Sequence, residues 1–177
     1  MTVLGRWDNW YAGLDKPAPY GDTATYQAAA DWLAGCSLVE DWGCGKGWMS
    51  RFIPPERYRG VDGSQTPYAA EIADLTTYRS SVAGIVMRHV LEHNNDWRAI
   101  LENALASATS RLAVVLFTPL VPATREIAFS DLVGVPDLAF RLTDLTDVID
   151  AAGWSWTAET MDTATQYGAE TMLRCER

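Results

Sequence analysis

The sequence predicts a doubly wound α/β domain on a mostly parallel sheet, and three observations carry that reading. Short apolar runs alternate with helix-like stretches from residue 37 onward, the pattern of βαβ units. One of those runs ends in an acid and opens into glycines at every second position, Asp41-Trp42-Gly43-Cys44-Gly45-Lys46-Gly47. The next run, Tyr58-Arg59-Gly60-Val61, closes on a second carboxylate, Asp62.

Residues 38–42, 58–61, 82–87 and 112–117 read as buried strands, because apolar runs of this length bounded by polar segments suit strands covered on both faces. Between the last two, residues 95–109 carry Trp97, Ile100, Leu101, Ala104, Leu105 and Ala108 at helical spacing, with Asp96 placed to cap the helix. Residues 142–152 put Leu145, Val148 and Ile149 on one face and stop at Gly153, as a helix with a left-handed C-terminal residue does. Strands over 154–160 and 171–175 follow. The segment 119–141, inserted after the 112–117 strand, is assigned no structure, and the aromatic-rich start includes a helix at 23–34.

At 177 residues the chain is expected to form one domain, with 1–36 as an N-terminal lid or cap and 37–177 as the core. Eight Trp and seven Tyr with 48% apolar residues exclude a disordered chain. No run of about 18 apolar residues is present, and Trp7, Asp8 and Trp10 stand where a signal peptide needs a basic end and an apolar stretch. Spanning, secreted and lipid-anchored proteins are therefore set aside, and no membrane partner is expected. Three widely spaced cysteines, Cys36, Cys44 and Cys175, suit reduced thiols in a cytoplasmic protein. A net charge of −9, with Lys16 and Lys46 the only lysines, opposes attraction to phosphate polymers, so nucleic acid is not the expected partner.

Alternating glycines permit left-handed backbone and close approach of a ligand, whose anionic group can meet the free N–H groups of a helix beginning near Trp48. A plain glycine-rich turn is the competing reading. Asp62, twenty-one residues after Asp41, sits where dinucleotide folds keep the carboxylate that accepts both ribose hydroxyls. The alternative is a solvated turn Asp in Asp62-Gly63-Ser64.

These residues resemble the class I S-adenosylmethionine-dependent methyltransferases, the group with a Leu-Glu-His segment after the fourth strand. The resemblance spans residues 39–175 and implies a seven-stranded sheet whose last strand runs antiparallel. It implies that Asp41, Gly43, Cys44, Gly45 and Gly47 hold the methionine part of the cofactor, that Asp62 with Gly63 and Ser64 holds the ribose, and that Asp74 and Leu75 lie near the adenine. Eleven residues separate Asp62 from Asp74, so the third unit must be shortened. S-adenosyl-L-methionine is the implied cofactor and S-adenosyl-L-homocysteine the product.

Both histidines lie in Arg88-His89-Val90-Leu91-Glu92-His93-Asn94, directly after the 82–87 strand, so the loop should face the same crevice as the glycines. By the resemblance, Arg88 and His89 flank the cofactor while Glu92 and His93 lie nearer the acceptor. His93 suits a general base for a hydroxyl acceptor, since an imidazole titrates near neutral pH; the other reading has it capping the next helix or bonding a loop carbonyl. His89, Glu92 and His93 could also turn toward one ion, but spacing alone rarely specifies a metal site and none is assigned.

Trp7, Trp10, Tyr11, Tyr20 and Tyr26 either form a lid over the acceptor or pack on the sheet, as is expected of Trp32 and Leu33. Arg125 and Arg141 either bind an acidic acceptor or lie on the surface. Thr165-Gln166-Tyr167-Gly168 either closes the crevice or is a plain turn. The expected activity is methyl transfer to a small molecule or a sugar, at oxygen, by a monomer or homodimer. A non-catalytic cofactor-binding module and a protein or nucleic-acid methyltransferase are the alternatives.

Overall fold

The computed structural model describes residues 3–177. Helices α1 (Val3–Tyr11) and α2 (Ala24–Trp32) precede strands β1 (Val39–Trp42), β2 (Tyr58–Asp62), β3 (Glu71–Ile72) and β4 (Val82–Arg88). Then come α3 (Trp97–Ser107), β5 (Ala108–Leu116), a hairpin of β6 (Arg125–Ser130) and β7 (Val135–Ala139), α4 (Leu142–Ala151), β8 (Ser155–Thr160) and β9 (Thr171–Glu176). The seven-stranded sheet has the order β3-β2-β1-β4-β5-β9-β8. All pairs from β3 to β5 are parallel, and β9 runs antiparallel to both its neighbours.

Side-chain alternation along the central strands divides the core in two. Ile85 and Met87 of β4, with Leu112, Val114 and Leu116 of β5, pack on α3 and α4 through Ile100, Leu101, Leu105, Leu145 and Ile149. Val86, Ala113 and Val115 face the opposite way, onto Tyr26, Ala29 and Leu33 at α2 and onto Met49 and Ile53. Each buried Leu or Ile contributes about 1.5–3 kcal/mol over an exposed one, so these two layers hold the sheet from both sides. Gly153, at φ +75°, ends α4 and turns Trp154 back into the core.

The predicted elements stand within a few residues of their expected bounds, and the third unit is shortened as expected: β3 has two residues and pairs with β2 at Val61 and Asp62. Two expectations fail, the first being that Asp96 caps α3: it stands at the N-cap but makes no side-chain capping bond. Nor does an α-helix begin at Trp48; a four-residue 3₁₀ turn, Trp48–Arg51, stands there, followed by another at Pro55–Arg57. Pro54 and Pro55 end any helix before a second full turn can form. The unassigned segment 119–141 supplies the β6–β7 hairpin, whose second strand is buried throughout.

Candidate functional site

Strand β1 lies between β2 and β4, at the point where the order of strands reverses, and the carboxyl ends of these three strands open into one cavity of about 790 Å³. Helix α1 crosses above it. Asp8 Oδ1 accepts the amide of Gln65 at 2.6 Å on one rim, and Arg6 Nη1 donates to the carbonyl of Asp131 at 2.7 Å at the tip of the β6–β7 hairpin. Trp7, Trp10, Tyr11, Tyr20 and Tyr26 all line the cavity.

Gly43, Gly45 and Gly47 have φ of +75°, +48° and +69°. The amides of Gly43 and Cys44 donate back to Val61 O at 2.8 and 3.2 Å, folding the loop onto β2. There the Asp62 carboxylate fastens it, accepting Gly45 N at 2.8 Å on Oδ2 and Ser64 N at 2.9 Å on Oδ1. Burial pushes the Asp62 carboxyl up from its ordinary range, and the amide bonds oppose that shift. Asp41, on the adjacent strand, is driven up to about 7, chiefly by burial, although the Tyr58 hydroxyl donates to it at 2.8 Å.

Asp41, Gly43, Cys44, Asp62, Gly63 and Ser64 face the cavity together. Beyond them Asp74 and Leu75 line its far end beside Ile72 and Ala73, in a turn where Asp74 Oδ1 accepts from the Thr76 amide and hydroxyl at 2.9 and 2.7 Å. Gly45 and Gly47 stand behind the wall, shaping the loop rather than lining the space. With no α-helix at Trp48, backbone N–H groups in this region come from the loop and the short 3₁₀ turn that follows it.

Arg88 and His89 also line the cavity, but their polar atoms turn to protein. Arg88 Nε donates to Thr25 Oγ1 and Nη1 to the Tyr26 hydroxyl, both at 3.0 Å, while Nη2 reaches Asp22 O at 3.1 Å and Glu170 Oε1 at 2.6 Å. His89, at φ +59° the one described non-glycine residue with left-handed backbone, places Nε2 2.6 Å from the same Glu170 oxygen. Burial, with the Arg88 charge beside it, outweighs that bond and lowers the His89 imidazole to about 4, so it is neutral near pH 7. Glu170, fully buried at the start of β9, ties α2 to the loop after β4.

His93 faces the cavity and Glu92 does not. Glu92 is fully buried, its Oε1 accepting the Phe117 amide at 2.6 Å and its Oε2 without a partner, and burial raises its carboxyl to about 7. The expectation that it lies nearer the acceptor is corrected: the 3₁₀ turn Leu91–His93 rotates it inward, under β5. His93 Nδ1 lies 3.1 Å from Pro136 O and 3.2 Å from Asp137 Oδ1. A carbonyl oxygen can only accept, so Nδ1 carries the proton and the neutral ring keeps its lone pair on Nε2. Burial lowers the His93 pKa, but the Asp137 bond and the Glu92 charge outweigh it and leave it raised. Asp137 is held in turn by the Tyr167 hydroxyl at 2.7 Å.

His89, Glu92 and His93 thus turn to three different partners, and among the described residues no three His, Cys, Asp or Glu side chains converge on a point. Arg141 pairs with Asp144 through Nε at 2.9 Å. Segment 165–168 closes the rim, with Thr165 bonded to Phe117 O and Gln166 on the wall. Asp137 and Glu170 were not found from the sequence. A lone acid inside the apolar Val135-Pro136-Asp137-Leu138-Ala139 is the signal that could have found the first.

No family model matches the sequence, and no curated protein matches it. Solved structures do. Magnesium protoporphyrin IX methyltransferase from Synechocystis PCC 6803, with bound SAH, superposes with a TM-score of 0.68 at 18% identity, over 98% of this chain and 93% of that one. The 1,6-didemethyltoxoflavin-N1-methyltransferase of Burkholderia thailandensis, with its acceptor and S-adenosylhomocysteine bound, gives 0.68 at 15% identity over 88% and 79%. An O-methyltransferase family protein from the same organism gives 0.63 at 13% over 86% and 55%. The chain therefore has the class I fold of S-adenosylmethionine-dependent methyltransferases. In that fold its cavity lies beyond the carboxyl ends of the parallel strands, at the topological switch point.

Proposed function

We propose that this protein is an S-adenosylmethionine-dependent methyltransferase that acts on an oxygen of a small molecule, with His93 as general base. The observation that carries the reading is the arrangement of one cavity: a locked glycine loop and buried Asp62 on one side, and the Nε2 lone pair of His93 on the other.

The residues present fit the cofactor. Asp62 is a buried carboxylate that accepts the Gly45 amide on Oδ2 and the Ser64 amide on Oδ1, which leaves lone pairs for the two hydroxyls of a ribose. Ile72, Ala73 and Leu75 would flank an adenine, and the loop of Asp41, Gly43 and Cys44 would face the amino-acid end. When bound, S-adenosylmethionine supplies a methyl group already activated by its sulfonium. The chain's own task is to align the acceptor, which can contribute about 7–11 kcal/mol, and to remove its proton. His93 Nε2 would take the proton of the acceptor hydroxyl, and the Asp137 carboxylate, 3.2 Å from Nδ1, would stabilise the imidazolium that forms. The three solved methyltransferases above, two of them named for small-molecule acceptors, support the same class of acceptor here.

The test uses calorimetry with S-adenosylhomocysteine and a mass search for added methyl groups in extract. Asp62→Ala should weaken S-adenosylhomocysteine by roughly 10–100-fold, the scale of lost bonds to a charged group. His93→Gln should keep that affinity and lose methyl transfer. Unchanged affinity in the first variant, or undiminished transfer in the second, overturns the corresponding assignment.

A further inference from the structure

Resting on the function proposed above, we propose that the acceptor is an uncharged, flat aromatic alcohol, and that the cavity selects against both anionic acceptors and sugars. On the side away from Asp62 the wall is a run of rings. Trp7 and His93 have centroids 6.0 Å apart and His93 and Phe117 5.2 Å, and Tyr167, which does not line the cavity, backs Phe117 at 5.9 Å. The hairpin adds Leu132, Val133 and Val135. Rings and branched aliphatic groups favour a flat apolar body, stacked or edge-on.

Charge decides the rest. Arg88 is the single Lys or Arg among the described residues lining the cavity, its Nε, Nη1 and Nη2 all donate to protein, and Glu170 neutralises it. Arg141, a candidate for an acidic acceptor, is paired with Asp144, and Arg125 lies exposed on β6. A carboxylate or phosphate entering this space would lose water, meet Asp137 and find no free Lys or Arg, and the His93 ring, when protonated, is already paired with Asp137. Asp137 does not invite a cation either: Oδ1 faces His93, and Oδ2 accepts from Tyr167 and, at 3.4 Å, from Gln166. For a sugar, polar partners on this side are few. Ser130, Asn94 and Gln166 remain, with Asn94 Nδ2 already donating to Val90 O at 2.6 Å and Gln166 Nε2 to Asp137 at 3.4 Å, so the several hydroxyls of a sugar would outnumber their partners. A single hydroxyl on an aryl ring needs one acceptor, and Nε2 of His93 supplies it.

The experiment is calorimetry on the full chain saturated with S-adenosylhomocysteine, titrated with 1-naphthol, 1-naphthoate and glucose. The naphthol should bind at least about tenfold more tightly than the other two. Phe117→Ala and, at the exposed hairpin tip where folding is not at stake, Leu132→Glu should each weaken it by roughly that factor. Naphthoate or glucose binding as well as naphthol, no binding of naphthol, or indifference to both variants overturns the acceptor class. Failure of S-adenosylhomocysteine itself to bind is a different result, because it removes the methyltransferase reading on which the acceptor rests.

Discussion

Nδ1 of His93 lies 3.2 Å from Oδ1 of Asp137, a contact that joins the turn after β4 to the second strand of the inserted hairpin. The Asp137 carboxyl is held below its usual range: burial would raise it, but bonds from His93 and Tyr167 prevail. The pair thus behaves as an orienting carboxylate and a raised imidazole. A base works only when unprotonated, so turnover should rise with pH through the His93 pKa. Asp137→Asn removes the negative charge while Pro136 O still fixes the tautomer. The prediction is that the acid limb of the pH–rate profile moves about 1 unit lower and the plateau drops about tenfold or more. Titration of the His93 ring by NMR checks the shift without an acceptor. A midpoint that does not move would assign Asp137 no part in tuning the base.

A second buried pair should matter for stability rather than for chemistry. The side chains of Arg88 and Glu170 are 5% and 0% exposed, so removing the carboxylate alone strands a guanidinium in the core. Glu170→Ala should cost about 3–5 kcal/mol in urea unfolding. The double variant Arg88→Met, Glu170→Leu should be clearly less harmful than the single one, because no charge is left unpaired. Equal losses would mean that the pair contributes nothing beyond its volume.

Glu92 yields a pH prediction of the opposite kind. Its folded pKa is raised from 4.5 to about 7, so between those values the native state holds a proton that the unfolded state has released. Stability must therefore fall as pH rises across that window. Glu92→Gln removes this part of the slope. Relative to the parent it should be little changed at pH 5 and should gain at pH 8, by at most about 3.5 kcal/mol at roughly 1.4 per unit. Unfolding curves at the two pH values decide it; a variant less stable at both would show that the charge is not a burden.

Most of the fold was legible in the sequence because the signals were local. The runs at β1, β2, β4 and β5, the apolar faces of α3 and α4 and the stop at Gly153 each depend on neighbours within a turn or a strand. The glycine loop and Asp62 were legible too, since their spacing follows from one βαβ-like step. At Trp48 position alone suggests a helix, but Pro54 and Pro55 forbid its length. The hairpin resisted reading because β6 alternates weakly and exposes Phe129. Asp137 and Glu170 were hidden for a different reason: each acts on residues of the 88–93 segment from far along the chain, and only the packed sheet brings them there.

The glycine loop offers a test of close packing separate from charge. Gly43 has φ +75°, and a Cβ placed on it would stand 2.5 Å from Val90 Cγ2, in the loop that carries His89 and His93. Two obstacles therefore oppose Gly43→Ala: left-handed strain of about 1–2 kcal/mol, and a clash with a side chain that is 7% exposed and has little room to move. Val90→Ala removes the methyl groups of the clash but not the strain. The double variant should thus be more stable than the sum of the single losses, by a coupling of roughly 0.5–3 kcal/mol, yet remain below Val90→Ala alone by about the strain. S-adenosylhomocysteine affinity should follow the same order, recovering in part when Val90 is trimmed. Strict additivity in unfolding and binding would mean that the two loops do not meet as the geometry has them.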